Sequence, residues 1–120
     1  MNKIHTENAP AAIGPYSQGY EVNGVVYTSG QLPVDPQTGA APEGITAQAE
    51  QSCKNVGAIL EAAGSGLDSE SLNAEGMQVF AAFNEVYAKY FTSNPARSCV
   101  AVKELPKGVL CEIEAIALKK

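Results

Sequence analysis

Arg97 and Glu112 are the two side chains of this 120-residue sequence best suited to chemistry. Arg97 follows Asn94-Pro95-Ala96 and heads the apolar run Ser98-Cys99-Val100-Ala101-Val102. A guanidinium is costly to bury unless an anion meets it, and its planar fork matches a carboxylate with two parallel hydrogen bonds. Pro95 stiffens the backbone just before it, so the side chain is aimed rather than loose. Glu112 lies in the equally apolar run Val109-Leu110-Cys111-Glu112-Ile113-Glu114-Ala115-Ile116-Ala117-Leu118. Desolvation there disfavours its charged form and a nearby Arg97 favours it; either balance suits proton transfer or the orientation of a water. One cation and one acid, both expected on strands, are the parts of a small-carboxylate site. The competing reading is an ion pair between Arg97 and Glu112 or Glu114, or an edge-strand charge at Glu112 that limits aggregation.

Further candidates surround these two. In Ser29-Gly30-Gln31 a glycine between a strand and a bend lets backbone groups approach a ligand closely, or marks a simple bulge. Tyr16, after Gly14-Pro15, carries a phenol that reaches a pocket or packs on the surface. Asn84 stands near Tyr87 on an expected helix and either faces the pocket or bridges backbone. Cys99 shares a face with Arg97. With no histidine beside it to make it a nucleophile, it is expected to line the pocket. His5 is the only histidine and lies near a terminus. There is no CxxC, HExxH, Walker A or GxGxxG motif, so no metal site or histidine triad is expected.

Composition bounds the rest. The length suits one domain, residues 1–120, with a real but thin core. The chain is 45% hydrophobic and 18% charged, which excludes general disorder. A net charge of −5 with no Lys/Arg cluster argues against nucleic acid as a main partner. No segment approaches the roughly 20 apolar residues of a membrane span, and Met1 to Pro10 has no signal-peptide core, so a cytoplasmic protein is expected. Three cysteines cannot all pair within one chain and read as reduced thiols.

The elements that must position these residues follow from pattern. Residues 1–15 read as a lead-in loop. Ser17–Val22 and Val25–Ser29 form a hairpin about Asn23-Gly24, whose residues tolerate the positive φ of a type I′ turn. Gly30 breaks that second strand, Gln31-Leu32-Pro33-Val34 follows, and Asp35-Pro36-Gln37-Thr38-Gly39 turns the chain. Ile45–Ala63 is a helix with the buried stripe Ala49, Cys53, Val56, Leu60 and Ala63, stopped by Gly64-Ser65-Gly66. A second helix spans Val79–Phe91, facing the core with Val79, Phe83, Val86, Tyr87 and Tyr90. Ser98–Lys103 and Val109–Leu118 are the last strands. The order implies an α+β two-layer fold, a mostly antiparallel mixed sheet with two helices on one face. Along the last strand Cys111, Ile113, Ala115 and Ala117 point one way; Leu110, Ile116 and Leu118 point the other. The face without helices therefore wants cover, and self-association is the simplest source. Leu67–Gln78 is polar and lacks β-branched residues, which disfavours a good strand there.

The chain resembles the RidA family, also called the YjgF family, of enamine/imine deaminases. The matching pieces are Glu7-Asn8-Ala9-Pro10, Ile13-Gly14-Pro15-Tyr16-Ser17-Gln18, Tyr27-Thr28-Ser29-Gly30-Gln31, Asp35-Pro36-Gln37-Thr38-Gly39, Phe83-Asn84-Glu85-Val86-Tyr87, Pro95-Ala96-Arg97-Ser98 and Cys111-Glu112-Ile113-Glu114-Ala115-Ile116-Ala117. The resemblance implies a homotrimer of chorismate-mutase-like subunits, with a central barrel of strands, helices outside and three sites in clefts between subunits. It implies hydrolysis of 2-imino acids and their enamine tautomers, produced by pyridoxal-phosphate dehydratases, to 2-keto acids and ammonia. Arg97 would grip the substrate carboxylate and Glu112 would polarise the water. Tyr16, Ser29, Gly30, Gln31, Asn84 and Cys99 would line the pocket, and no cofactor is required. The sequence departs from the family at Ser69–Val79, where members usually carry a threonine- and valine-rich strand and a few more residues. The alternatives are a non-catalytic sensor of small carboxylates or protein-binding trimer, and a ribonuclease, which the acidic charge disfavours.

Overall fold

The computed structural model describes residues 1–67 and 80–120. Its elements are β1 (Asn2–Ile4), β2 (Gly19–Val22), β3 (Val25–Thr28), α1 (Ile45–Ala62), α2 (Phe80–Tyr90), a 3₁₀ turn (Pro106–Gly108) and β4 (Ile116–Leu118). The strands form an antiparallel sheet in the order β1-β2-β3-β4. Both helices lie on one face of it. Among the described residues no helix is long and apolar enough to cross a membrane.

The expected hairpin is present. Asn23 at φ 50° and Gly24 at φ 80° supply the two left-handed residues of a two-residue turn, and Val22 opposes Val25 across it. The lead-in region is not all loop, however. Asn2–Ile4 pairs with β2 and sends Ile4 into the core. A three-residue edge strand is too short to show periodicity. The loop after it is held by one buried amide. Gln18 Oε1 accepts the Thr6 N–H at 2.7 Å, and its Nε2 lies within hydrogen-bond range of the carbonyls of Thr6, Ala9 and Pro10.

After Gly30, Gln31–Val34 forms no strand beyond a single bridge, Gln31 with Ile113. Helix α1 provides the reason. Ser52 Oγ donates to the Gln31 carbonyl (3.0 Å), and Asn55 Nδ2 donates to those of Leu32 (3.0 Å) and Val34 (2.9 Å). Buried carbonyls must find donors, and here side chains of α1 replace a neighbouring strand. Gln48 extends the same device. It donates to Pro42 O and accepts from Leu110 N. The apolar stripe of α1 runs beside these groups. Ala49, Cys53, Val56 and Leu60 are fully buried as expected, joined by Ile59, while Ala63 is half-buried.

The last strand is shorter than expected. Only Ile116–Leu118 forms a ladder with β3, because Thr28 Oγ1 accepts the Ala115 N–H and interrupts the backbone pattern. Pairing then resumes out of step. From Tyr27↔Ile116 to Gln31↔Ile113, one side advances four residues and the other three. One residue is therefore extra between Thr28 and Gln31, which is a β-bulge. The bulge keeps Val26, Thr28 and Gln31 all on the helix side, although their numbers differ in parity. Across from them Cys111, Ile113, Ala115 and Ala117 are buried, as their alternation predicts.

Ser98–Lys103 is not a strand. It forms no ladder with any described residue, and Val100 and Val102 stay exposed. Apolar alternation needs a neighbour to become a strand, and none is supplied among the described residues. The reading of Leu67–Gln78 and the second helix's start at Val79 fall, Leu67 apart, outside the described residues. Within α2, Phe83, Val86 and Tyr87 are buried and Tyr90 half-buried, as expected. On the helix-free face, Tyr20 opposes Tyr27, Val22 opposes Val25, and Ile116 and Leu118 flank them. Tyr27 is 46% and Leu118 43% exposed, so this apolar face is open in the isolated chain.

Candidate active site

The bulge builds one half of the candidate site. Ser29 N donates to Gln18 O (2.8 Å) and Gln31 N to Ile113 O (2.7 Å), so the backbone on both sides of Gly30 is tied down. Gln31 is buried, and its amide Nε2 reaches back to the carbonyls of Ser29 and Gly30. Its side chain thus braces the bulge. Cys111 points toward α1, where its Sγ lies 3.8 Å from Ser52 Oγ. Glu112, one residue on, consequently projects from the opposite face, and its carboxylate rests on Gly30. A Cβ placed on Gly30 would collide with Glu112 Oε1 and stand 2.8 Å from its Cδ. Gly30 is not in a left-handed conformation. Space for the carboxylate, not backbone freedom, is what requires a glycine here.

Ser29 and Tyr16 border an open groove of about 620 Å³ on this same face, together with Lys3, Ser17, Tyr20 and Tyr27. Tyr16 is 54% exposed and reaches into it. The Ser29 hydroxyl donates to the Ser17 carbonyl, which anchors the Tyr16 loop to the bulge.

Arg97 belongs to a different neighbourhood. Its guanidinium carbon lies 4.9 Å from the Tyr87 ring centroid and 5.8 Å from that of Phe80, both on α2. Of the competing reading, an ion pair of Arg97 with Glu112 or Glu114, there is no sign among the described residues. The ion pairs among the described residues are Lys54–Glu50 and Lys119–Glu21, and Arg97 is in neither. The left-handed Asn94 (φ 51°) and Pro95 bring Arg97 back over the helix on irregular chain, not on a strand. Tyr87 is buried, stacked on Phe91 at 4.3 Å and on Phe83 at 5.7 Å. Burial pushes its phenol up to about 12, against a lowering by Arg97, so it is protonated at neutral pH. Asn84 lies one turn earlier on the same helix. Its Oδ1 and the Tyr87 hydroxyl are buried without a hydrogen-bond partner among the described residues. Cys99 is half-buried and close enough to bear on the Tyr87 phenol.

The structure therefore gathers the expected residues into two groups. Tyr16, Ser29, Gly30, Gln31 and Glu112 form one, on and around the bulge. Asn84, Arg97 and Cys99 form the other, at α2. The first group's carboxylate projects from the sheet face that α1 and α2 do not cover, and the second group sits on α2. Tyr87 is the member that periodicity conceals, because a core-facing aromatic at helical spacing gives no sign of a cation above it. The remaining thiols are structural. Burial raises Cys53 far above the ordinary thiol range and Cys111 to about 11, the latter partly offset by its bond to Ser52. Neither provides a thiolate at neutral pH.

Comparison with known proteins gives a consistent result. The family model described as Endoribonuclease L-PSP matches residues 6–119. The chain is 51% identical to the 2-iminobutanoate/2-iminopropanoate deaminase of Salmonella typhimurium, over 98% of this chain and 97% of that one. It is 48% identical to the protein of the same name from Escherichia coli K12, over 98% and 97%. Among solved structures, Escherichia coli TdcF with bound serine superposes with a TM-score of 0.93 at 44% identity, over the whole of both chains. The Escherichia coli YjgF gene product superposes with a TM-score of 0.92 at 46% identity, over 100% of both chains. The Salmonella alignment runs over 124 positions, more than the 120 residues present, so that relative carries residues this chain lacks. On this likeness over nearly its full length, the chain belongs to the Endoribonuclease L-PSP family, that of the RidA and YjgF deaminases.

Proposed function

We propose that this protein hydrolyses 2-imino acids and their 2-enamino tautomers, 2-aminoacrylate and 2-aminocrotonate among them, to 2-keto acids and ammonia. It would do so as a homotrimer of chorismate-mutase-like subunits around a barrel of strands, with a site in each of three clefts between subunits. The observation that carries this reading is the separation of the acid from the cation. Glu112 sits against Gly30 on the face without helices, while Arg97 lies over α2 with no ion pair among the described residues. One chain supplies two half-sites, and a second copy packed on the open face of the first would bring an Arg97 to a Glu112.

In such a cleft Arg97 holds the substrate carboxylate by two parallel hydrogen bonds. Glu112, as carboxylate, takes a proton from the water that attacks the C=N carbon. Glu112 then returns that proton to the nitrogen of the tetrahedral adduct, the C–N bond breaks to release ammonia, and the hydroxyl gives up its proton to leave the keto group. The imine carbon is already electrophilic, so most of the acceleration is positioning of water against a clamped substrate. Tyr16, Asn84, the Gly30 backbone and Cys99 shape the pocket around it. Dehydration of 2-amino-3-hydroxy acids such as threonine by pyridoxal-phosphate enzymes is the chemistry that supplies these substrates. Ribonuclease action, which the family model's description names, finds no support in a chain of net charge −5 with no basic cluster.

The test is to add the protein to a threonine dehydratase reaction and follow 2-ketobutyrate release. Wild type should raise the rate above that of buffer, and Arg97→Ala should abolish the gain while leaving the assembly intact by sedimentation. An unchanged rate with Arg97→Ala would refute the clamp. Retention of 2-ketobutyrate by wild type with no acceleration would favour the carboxylate sensor instead.

A further inference from the structure

Arg97 raises a positioning problem. A flexible guanidinium used as a clamp must be held still, yet the usual means, an ion pair with a carboxylate, would occupy the N–H groups that the substrate needs. Among the described residues no ion pair of that kind is made. Instead the guanidinium carbon stands 4.9 Å from the centre of the Tyr87 ring, with Phe80 at 5.8 Å. A ring face attracts the cation through its quadrupole and leaves the N–H edge open. The Tyr87 ring is itself immobile. It is 6% exposed and stacks at 13° on Phe91 and at 28° on Phe83, so that Phe83, Tyr87 and Phe91 form a rigid aromatic row along one side of α2.

We infer that Tyr87 is a positioning residue for Arg97: its ring face is the platform that holds the guanidinium ready for a carboxylate, and its hydroxyl is dispensable. Among the described residues the buried hydroxyl has no hydrogen-bond partner, so removing it sacrifices no bond there. Phe80, 59% exposed and farther from the cation, is a secondary contact. The inference rests on the deaminase reading only for its substrate. The platform itself concerns how any small 2-keto or 2-imino carboxylate is gripped.

The experiment measures binding and turnover separately. Binding of 2-ketobutyrate is read by calorimetry, and imine hydrolysis by the coupled dehydratase reaction, each with thermal unfolding as a control for folding. Tyr87→Phe should bind and turn over within about twofold of wild type. Tyr87→Leu should weaken 2-ketobutyrate binding by about 3- to 30-fold, the range of a single cation–π contact. It should raise KM similarly and leave kcat within about twofold. Because Leu also disturbs the aromatic row, the sharper variant carries trifluorophenylalanine at position 87. It keeps the ring's shape and removes the electron density of its face, so it should bind like Tyr87→Leu while melting like Tyr87→Phe. Equal affinity of the fluorinated and unfluorinated rings would overturn the inference. So would a Tyr87→Phe variant as weak as Tyr87→Leu, or a loss confined to kcat. If wild type binds 2-ketobutyrate in this Tyr87-dependent way yet accelerates no imine hydrolysis, the platform stands and the deaminase reading falls.

Discussion

Replacing Gly30 with alanine isolates the seat of the Glu112 carboxylate. The new methyl would stand 2.8 Å from Glu112 Cδ, where ordinary contact begins at 3.4 Å, so the carboxyl carbon must retreat by about 0.6 Å and the nearer oxygen by more. The backbone cannot yield instead, because Ser29 and Gln31 are bonded on either side. The acid is the end of a flexible side chain, so its displacement costs little stability. Less freedom in the unfolded chain contributes about 0.4–1 kcal/mol in the other direction. The expectation is a melting temperature close to wild type. Activity should respond far more, because a misplacement of about 1 Å in a catalytic group lowers rate by about 10²-fold. For the shift forced here we expect a fall in kcat/KM of about 10- to 100-fold, a barrier increase of about 1.4–2.7 kcal/mol. The coupled dehydratase assay measures it directly. A folded Gly30→Ala protein with wild-type kcat/KM would show that Glu112 does not act from its place against Gly30, and the assignment of the acid would have to be abandoned.

Two further outcomes follow from the packing. Asn55→Ala removes the donor for the Leu32 and Val34 carbonyls and the acceptor for Gln51. Each of the two stranded carbonyls costs about 1–3 kcal/mol, so a loss of about 2–6 kcal/mol in urea unfolding is expected, and a loss below about 1 kcal/mol would contradict it. At pH 8 an aromatic disulfide reagent should label one thiol per native chain, the half-buried Cys99. Cys53 and Cys111 should react only on denaturation, since burial both hides them and raises them out of the thiolate range. Fast labelling of two or three would refute that placement.

How far these residues speak from sequence depends on the kind of signal. Asn23-Gly24 and the Ala49–Leu60 stripe are local patterns, and the structure reproduces them because turn geometry and helical periodicity are set within a few residues. Gly30 was legible as a bulge, and it is one; that the Glu112 carboxylate packs against it was not legible. What sequence could not show was where Arg97 goes. Glu112 alternates with the buried Cys111 and Ile113, so period two already sets it on the face without helices. Arg97 heads an apolar run yet leaves it over α2, and that path has no local signature. The polar scaffolding was also hidden. Gln18, Gln48, Ser52 and Asn55 look like surface residues by composition, but their amides and hydroxyl replace strand pairing in the interior, a choice made by tertiary contacts alone. For the same reason Ser98–Lys103 misled. Its alternation fits a strand, and a strand exists only where another chain segment pairs with it.

The separation of Arg97 from Glu112 has a genetic consequence under the proposed assembly. Each cleft would draw its clamp from one protomer and its acid from the next, so defects in the two groups reside in different copies. Chains lacking only the arginine and chains lacking only the glutamate, co-expressed, would reconstitute some clefts with both groups whole and others with neither. Two inactive alleles would then rescue each other, an outcome that no site contained within a single polypeptide permits.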